Sequence, residues 1–290
     1  MVGAVSGKRR GDEARKPNVP LTPGAARKFR KIIYSYYSQH GRELPWRRTQ
    51  DPYRILVSEI MLQQTQVERV LEKYPDFVQQ FPSFRALADG PLRDVLTAWQ
   101  GLGYNRRAAS LKKIGEIVAE DRDGRLRADV DFLSGLPGIG YNTACAILAF
   151  AFNKPVVFIE TNIRTVFIHF FFSGRDAVRD NEILPLVEQT LDCENPCAWY
   201  SALMDYGTML KKTYGSTNPK SAHYQKQSPF KDSDRQIRGM VLKVIIAHHR
   251  LTDEEIVERL QLPIERARKA LDALQKEGFV REQEGRYSIA

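Results

Sequence analysis

Cysteine is scarce in this sequence, and its scarcity excludes two kinds of stabilised fold. The 290 residues contain only Cys145, Cys193 and Cys197. Three cysteines cannot build the disulfide framework of a small secreted protein, so a reducing interior fits best. A metal site that used Cys193 and Cys197 would need two further ligands, but no second cysteine pair or His-x-His motif follows them. We therefore expect no metal ion.

Long apolar runs are also missing. The stretch AILAFAFNKPVVFI is interrupted at residues 153–155 by Asn, Lys and Pro, and it falls short of the roughly 18–20 residues of a membrane span. The first 20 residues lack the apolar core of a signal peptide and read as a flexible basic tail. We expect an intracellular protein, cytoplasmic and nucleoid-associated or nuclear, that is neither secreted nor bound to a membrane.

The charge balance points to a polyanionic partner. The formal net charge is +9, and 42% of the residues are hydrophobic, enough to build a core. A strong excess of lysine and arginine favours nucleic acid ahead of a membrane surface. The alternative is that the chain, like many basic proteins, binds nothing acidic. No glycine-rich dinucleotide or phosphate loop and no solenoid repeat is present.

Helical periodicity dominates, with segments separated by proline, glycine or polar pairs. Only KPVVFIE and TVFIHFFF read as strands, and each could equally be buried helix. Residues 214–234 are rich in Ser, Pro, Asn, Lys and Gln, which is typical of a linker. We predict an all-α protein with a flexible tail over 1–22, a main domain over 23–213, a linker over 214–234 and a small domain over 235–290.

The small domain has the pattern of a winged helix, three helices followed by a terminal hairpin. Its second helix opens with a capping box, Thr252 and Glu255, and its third ends at Gly278. A hairpin around Glu284 and Gly285 completes the unit. Such units bind a DNA groove, dock proteins or serve only as structure. We favour DNA contact because the third helix carries four basic residues: Arg266, Arg268, Lys269 and Lys276.

One carboxyl group lies on an apolar helical face in the stretch SEIMLQQTQV. Glu59 is three or four residues from Ile55, Leu56 and Leu62, and residues at those spacings share a face. A solvated glutamate belongs on the opposite face, so Glu59 is expected in the interior or at the floor of a cleft. A carboxyl group in such surroundings has a raised pKa and can act as a general acid. The alternative is a structural ion pair with a nearby arginine, Arg47 or Arg54.

The segment LPGIGYNTACAI has the pattern of a helix–hairpin–helix element. Gly138 and Gly140 precede a helix that begins near Asn142, and glycine lets the backbone turn tightly and approach a ligand. The amides at the start of the helix form a phosphate site. The motif therefore suits a grip on one DNA strand by its backbone, without reading sequence. An ordinary helical corner is the alternative.

A second glycine turn lies upstream in WQGLGYNRRAASL. Tyr104 is predicted at its tip, with Arg106 and Arg107 close behind. An exposed aromatic ring beside two arginines suits insertion into a base stack. The alternative is a turn tyrosine that packs on its own domain.

Four motifs together carry a family resemblance: LPWRRTQDPYRILVSEIMLQQTQV, GLGYNRRAASL, LPGIGYNTACAI and YSALMDYG. In their order and spacing, over roughly residues 25–212, the chain resembles the helix–hairpin–helix (HhH-GPD) DNA glycosylases, and most closely the adenine DNA glycosylase branch. The resemblance implies a two-lobed domain that acts as a monomer on double-stranded DNA with a mismatched or damaged base. It also implies that the target base is flipped into a pocket.

The resemblance assigns roles by position. Glu59 matches the acid that protonates the adenine ring and later helps to activate water. Trp46 and Leu62 match pocket positions, Gln64 and Thr65 match residues that fill the gap and touch the partner base, and Tyr104 matches the wedge. The expected substrate- and DNA-binding residues are thus Trp46, Arg47, Leu62, Gln64, Thr65, Tyr104, Arg106, Gly138, Ile139, Gly140 and Asn142.

The sequence departs from the family at the catalytic carboxylate. Glu160 occupies the position of the family's Asp, and Asn162 matches the Asn that follows it. The expected role is to stabilise an oxocarbenium-like sugar. Asn142 stands where bifunctional relatives carry Lys. Without that amine we expect base removal without efficient strand cleavage.

A further departure concerns the iron–sulfur cluster. The family usually holds it with four cysteines at the end of this domain, and no cysteine follows Asp205 here. We expect no cofactor, with Lys211, Lys212 and the following loop supplying some DNA contact instead. We also expect no nucleotide-hydrolase-like domain, which reads 8-oxoguanine in the family, and expect the winged-helix unit in its place.

We expect monofunctional removal of a mispaired base, with adenine opposite 8-oxoguanine or G as the first candidate. A mismatch thymine or uracil glycosylase of the same superfamily is the nearest alternative. A non-catalytic DNA-binding protein is the alternative from another class.

Overall fold

The computed structural model describes residues 21–121, 124–215 and 230–290. Within these ranges the chain is almost entirely helical, as predicted. The helices are α1 (Pro23–His40), α2 (Pro52–Leu62), α3 (Val67–Gln80), α4 (Phe84–Asp89), α5 (Leu92–Ala98), α6 (Arg106–Glu120), α7 (Val130–Gly135), α8 (Tyr141–Phe152), α9 (Thr161–Phe171), α10 (Asp180–Thr190), α11 (Pro196–Tyr214), α12 (Asp234–His248), α13 (Asp253–Leu260) and α14 (Ile264–Lys276). A short 3-10 helix covers Pro45–Arg47, and two strands, β1 (Val280–Gln283) and β2 (Arg286–Ile289), end the chain.

Two apolar cores divide the main domain into two lobes. The first lobe is built from α2–α7, and the second from α1 and α9–α11. Helix α8 lies between the lobes, in contact with α2 and α7 on one side and with α11 on the other. Ala144 and Ile147 face the first core, whereas Cys145 and Ala149 face the second. Burial on both sides explains why the α8 sequence is apolar all round.

The helical run through SEIMLQQTQV is interrupted in the structure. Asp51 caps the start of α2 by accepting a hydrogen bond from the Tyr53 amide (2.9 Å). Helix α2 ends at Leu62, and α3 starts at Val67 after a turn in which Gln64 has φ of 53°. The three glutamines therefore lie in and beside a tight connection rather than on a helical face.

The two strand-like runs resolve into helix and irregular backbone. TVFIHFF lies inside α9, and residues 153–160 have no regular secondary structure. Asn153, left-handed with φ of 49°, ends α8. The irregular segment then buries Phe158 and Ile159 in the second core and delivers Glu160 to the start of α9.

The C-terminal residues form three helices and a hairpin, in the predicted order. Thr252 and Glu255 make the predicted capping box, and Glu284 and Gly285 turn the hairpin with positive φ angles of 56° and 70°. Apolar side chains of α12–β1 join the same core as the first lobe. The Nε of Arg93, on α5, also donates to the Ile246 carbonyl oxygen (3.1 Å). The C-terminal unit is therefore packed directly on the first lobe.

The basic face of α14 is largely engaged in ion pairs. Arg268 pairs with Asp253 (2.7 Å), and Lys269 pairs with Asp234 (2.8 Å). Arg266 donates to the Asp232 carbonyl oxygen (2.7 Å). Contact between these side chains and DNA would have to replace those partners.

No helix among the described residues is long and apolar enough to cross a membrane. The tail over 1–20 and most of the predicted linker lie outside the described residues.

Candidate active site between the two lobes

A cavity of about 360 Å³ opens between the lobes and brings together the two predicted catalytic carboxylates. Glu59 comes from α2 in the first lobe, and Glu160 comes from the start of α9 in the second. Eight of the predicted catalytic and binding residues reach this cavity besides Glu59. They are Trp46, Arg47, Leu62, Gln64, Thr65, Asn142, Glu160 and Asn162.

Glu59 has the environment of a general acid. Ile55 and Leu62, its neighbours on the helical face, line the cavity with it, and Leu56 is fully buried. Burial, followed by the negative charge of Glu160, raises the pKa of Glu59, Arg47 opposes the shift, and the net result is a pKa of about 8. The carboxyl group is therefore largely protonated at neutral pH.

The structural alternative for Glu59 is an ion pair with Arg47 or Arg54, but both arginines hold other carboxylates. Arg54 lies 3.6 Å from Asp51. Arg47 makes a two-pronged contact with Asp205, with distances of 2.8 Å and 2.9 Å. Its side chain is a fixed part of the cavity wall, so the expected contact with DNA could only be made from within the cavity.

Asp205 anchors this wall from α11. It is buried, and it also accepts hydrogen bonds from the backbone amide and the Nε of Arg42 (2.8 Å and 2.6 Å). Burial by itself would raise the pKa of Asp205, but the hydrogen bonds from Arg47 and Arg42 outweigh it and hold the pKa below its usual range. Asp205 therefore stays ionised and fixes Arg47 beside Glu59.

Glu160 is the N-cap of α9. Its Oε1 accepts hydrogen bonds from the Asn162 and Ile163 amides (2.7 Å and 2.9 Å), and its Oε2 accepts one from the Asn162 side-chain Nδ2 (3.2 Å). Amides at a helix N-terminus and the helix dipole both favour a carboxylate. The extra methylene of Glu relative to Asp is accommodated in this cap, and the carboxylate is held at the cavity wall.

The turn that follows Glu59 is held by Arg107, one of the two arginines that follow Tyr104 in the sequence. Its Nη1 donates to the carbonyl oxygens of Ile60, Met61 and Gln63 (2.8 Å, 2.8 Å and 2.6 Å). Its Nη2 donates to Thr65 Oγ1 (2.9 Å). Burial lowers the pKa of Arg107 to about 10. Arg107 points inward, and its hydrogen bonds hold the turn in place.

Arg107 also reaches the turn that carries Tyr104. Its Nη2 donates to the Leu102 and Gly103 carbonyl oxygens (3.2 Å and 3.1 Å), and its guanidinium lies 5.4 Å from the Tyr104 ring centroid. Tyr104 has φ of 49° and is 43% exposed, as a wedge requires. Arg106, predicted to bind DNA, has an exposed side chain that pairs with Glu277 at the end of α14 (2.6 Å).

The hairpin before α8 has the expected backbone. Gly138 has φ of 77°, and Gly140 is the N-cap of α8. Gln63 Nε2 donates to the Gly138 carbonyl oxygen (3.2 Å), which ties the hairpin to the turn after Glu59. Ile139 is buried, and its amide donates to the Leu136 carbonyl oxygen (3.2 Å). The Ile139 amide therefore already has a partner within the hairpin, and the expected contact of this hairpin with DNA stays a prediction.

The family model for the HhH-GPD superfamily of base excision DNA repair proteins matches residues 57–185, a range that contains both Glu59 and Glu160. An adenine DNA glycosylase of Mycobacterium tuberculosis is 30% identical over 282 residues, which cover 89% of this chain and 92% of the relative. The chain belongs to the HhH-GPD superfamily.

Further comparisons agree with this membership. The chain is 35% identical to an adenine DNA glycosylase of Buchnera aphidicola over 187 residues, and the match spans only 52% of that relative's length. A solved structure of a thermostable thymine-DNA glycosylase superposes with a TM-score of 0.58 at 26% identity, over 68% of this chain and 94% of that one. The predicted resemblance, the all-α glycosylase fold and the enzyme class, a DNA N-glycosylase, are confirmed, whereas the winged-helix assignment of the C-terminal unit stays a prediction.

The residues of this HhH-GPD protein do not fit the family's iron–sulfur cluster. Four thiolates are required, and the chain has three cysteines. Cys145 is buried inside α8, whereas Cys193 is exposed and Cys197 half-buried beyond α10. No group of three or more His, Cys, Asp or Glu side chains in the described part of the chain is arranged to hold a metal ion.

Sequence reasoning missed how much of the site α11 supplies. Asp205 holds Arg47, and Met204 and Thr208 line the cavity. Lys211 donates to Asn162 Oδ1 (2.6 Å). The usable signal was the spacing in MDYGTMLK, because positions three or four apart share a helical face.

Proposed function

We propose that this glycosylase is monofunctional and hydrolyses the N-glycosidic bond of adenine mispaired with 8-oxoguanine or G. One observation carries the proposal: Glu59, whose pKa is raised to about 8, and Glu160, the N-cap of α9, line the same cavity of about 360 Å³. A cavity of this size lies within the range of small-molecule pockets. The relatives named adenine DNA glycosylases support adenine as the base.

The two carboxyl groups divide the reaction between them. Glu59 donates its proton to a ring nitrogen of the flipped adenine, so that the base leaves as a neutral molecule. The glycosidic bond breaks, and the positive charge that develops on the sugar is stabilised by the Glu160 carboxylate. Water then adds to the anomeric carbon, and the Glu59 carboxylate takes its proton. The acid is thereby restored, and the abasic sugar is the product.

The remaining residues position the DNA. Tyr104 enters the base stack as a wedge, and the start of α8 binds one strand by its phosphates. Gln64 and Thr65 occupy the gap left by the flipped base. Asn142 offers no amine to the sugar, so strand cleavage is not part of the reaction. The enzyme acts without metal or cluster, as a monomer on double-stranded DNA inside the cell, with the winged-helix unit as an additional DNA contact.

The test is single-turnover base release with enzyme in excess over labelled duplexes that carry A opposite 8-oxoguanine, A opposite G, and T or U opposite G. We expect adenine release, and Glu59→Gln and Glu160→Gln each to lower the rate by about 10²–10⁴-fold. The matched control is Glu188→Gln, the same change at an exposed position of α10, and it should leave the rate unchanged.

The second candidate is a thymine or uracil mismatch glycosylase, which the structural likeness to a thymine-DNA glycosylase favours. Release of T or U in place of A would keep the mechanism and overturn the substrate. No release from any duplex, with tight binding retained, would show a glycosylase fold used only for recognition.

A further inference from the structure

Lys211 approaches the catalytic asparagine from outside the cavity. Its Nζ lies 2.6 Å from Asn162 Oδ1, and the side chain is half-buried. Lys211 is not among the described residues that line the cavity, so it does not face a bound base. Its one hydrogen bond to the catalytic segment goes to Asn162, and its charge also lies near Glu160.

The contact fixes which way the Asn162 amide points. An asparagine amide has one oxygen that accepts hydrogen bonds and one nitrogen that donates, whereas a lysine ammonium only donates. The oxygen must therefore face Lys211. The nitrogen is left facing Glu160 Oε2 at 3.2 Å. If the amide were reversed, its oxygen would face the carboxylate and repel it.

Burial and the neighbouring charges act on the Lys211 ammonium in opposite directions. Burial lowers the pKa of Lys211, the nearby Glu160 charge opposes that shift, and Arg164 adds to it. Arg164 itself is neutralised by two hydrogen bonds to Asp180 (2.7 Å each). A chain of hydrogen bonds thus runs from the Lys211 ammonium through Asn162 to Glu160.

Helix α11 is shaped to make the contact. Gly207 lies one turn before Lys211, on the same face. A methyl group at Gly207 would lie 2.5 Å from the Asn162 carbonyl oxygen. The absence of a side chain there lets α11 approach the start of α9 closely enough for Lys211 to reach the amide.

We propose that Lys211 is a positioning residue of the glycosylase reaction: by orienting the Asn162 amide, it holds the Glu160 carboxylate in the position that stabilises the sugar cation. This inference rests on the proposed function of Glu160. It gives α11 a role at the end of the domain where the family usually binds a cluster.

The experiment compares K211M, K211R, N162A and the double variant K211M/N162A with the wild-type full chain. The control is K28M, which removes the same charge from an exposed position of α1 outside the proposed site. Single-turnover base release is measured on the duplex that the wild type cleaves. The dissociation constant is measured on a duplex whose target nucleotide carries a 2′-fluorine, which resists cleavage.

We expect K211M to slow base release by about 10–100-fold, because a small misplacement of a catalytic group has an effect of that size. Its dissociation constant should match that of K28M. K211R, which keeps a charged donor, should stay within about threefold of the wild type. In the N162A background, K211M should cause little further loss, because both changes act on one contact.

Three outcomes would overturn the inference. They are a K211M rate equal to that of K28M, a loss that appears only in the dissociation constant, or a full additional loss in the double variant. A wild type that releases no base would contradict the proposed function instead. In that case the Asn162 side-chain amide, followed by proton–nitrogen NMR, decides the positioning role. Slow amide exchange should be lost in K211M and kept in K211R, and unchanged exchange would contradict the inference.

Discussion

At the scale of single residues, the chemistry depends on how Glu59 keeps its proton. Burial against Ile55 and Leu62 disfavours the charged form, and Glu160 on the other side of the cavity repels it. Arg47 would favour the charged form, but Asp205 occupies its guanidinium. The two carboxyl groups therefore lie in different surroundings. Amides at the start of α9 donate hydrogen bonds to Glu160, whereas Glu59 is buried without such donors among the described residues.

The raised pKa of Glu59 predicts a pH-dependent effect on stability. The folded-state pKa, about 8, exceeds the unfolded value. Between these two values the native state holds a proton that the unfolded state has lost, so wild-type stability falls as pH rises through the window. Glu59→Gln cannot ionise. It should raise the free energy of unfolding by about 1–3 kcal/mol at pH 8, and by little below pH 4.5.

Urea unfolding of both proteins from pH 4.5 to 9 checks this prediction. The stability difference should grow steadily with pH. A constant difference would mean that Glu59 is ionised in the folded enzyme and would remove its role as a general acid.

At the scale of elements, α11 holds the Arg47 side chain and the start of α9 in place at the cavity. Asp205, Gly207 and Lys211 lie along one helix and contact Arg47 and Asn162 in turn. These contacts need the α11 backbone to rest directly on the start of α9. Helix α11 therefore supplies the charged side chains of Asp205 and Lys211, and its Gly207 allows the backbone of α11 to approach that of α9.

Two glycine substitutions compare the tight contact between α11 and α9 with a helical position that has no close neighbour. Gly207→Ala places a methyl group 2.5 Å from the Asn162 carbonyl oxygen, and should destabilise the protein by about 1–3 kcal/mol and slow base release. Gly239→Ala, in α12, meets nothing within 4 Å. It should stabilise by about 0.5–1 kcal/mol through helix propensity. Urea unfolding measures both, and shifts in the same direction would show that packing at Gly207 is not tight.

At the scale of the whole molecule, the C-terminal unit is part of the first lobe rather than an appendage. Its apolar residues belong to the same core. Glu277 at the end of α14 pairs with Arg106 beside the wedge turn and with Arg238 on α12 (2.6 Å and 2.8 Å). The unit therefore reaches the turn that presents Tyr104.

This packing predicts coupled opening of the C-terminal helices and the first lobe. In hydrogen exchange, amides of α12 should open with the same free energy as those of α5. Glu277→Gln should lower that value by about 1 kcal/mol and leave α9 unchanged. Glu284→Gln, at the exposed hairpin tip, is the control. Independent opening of α12 in the wild type would contradict the shared core.

Local patterns in the sequence were sufficient for much of the fold. Amphipathic spacing placed Glu59 on an apolar face, and the Thr252 capping box and the Gly138 hairpin were recognisable because each involves residues within about one turn. The all-round apolar α8 was also visible. The breaks were less accurate, since QQTQV reads as helix until the positive φ of Gln64 is known.

The sequence by itself thus determined the helical fold, the hairpin and the position of Glu59 on an apolar helical face, because these depend on neighbours along the chain. Only the tertiary structure decided the partners. Arg47 meets Asp205 158 residues away, Lys211 meets Asn162 49 residues away, and Arg107 turns inward to carbonyl groups on two separate turns. Those contacts depend on where helices cross and on which carbonyl groups lack helical partners. Neither is written in local spacing, because both are set by packing of the two lobes.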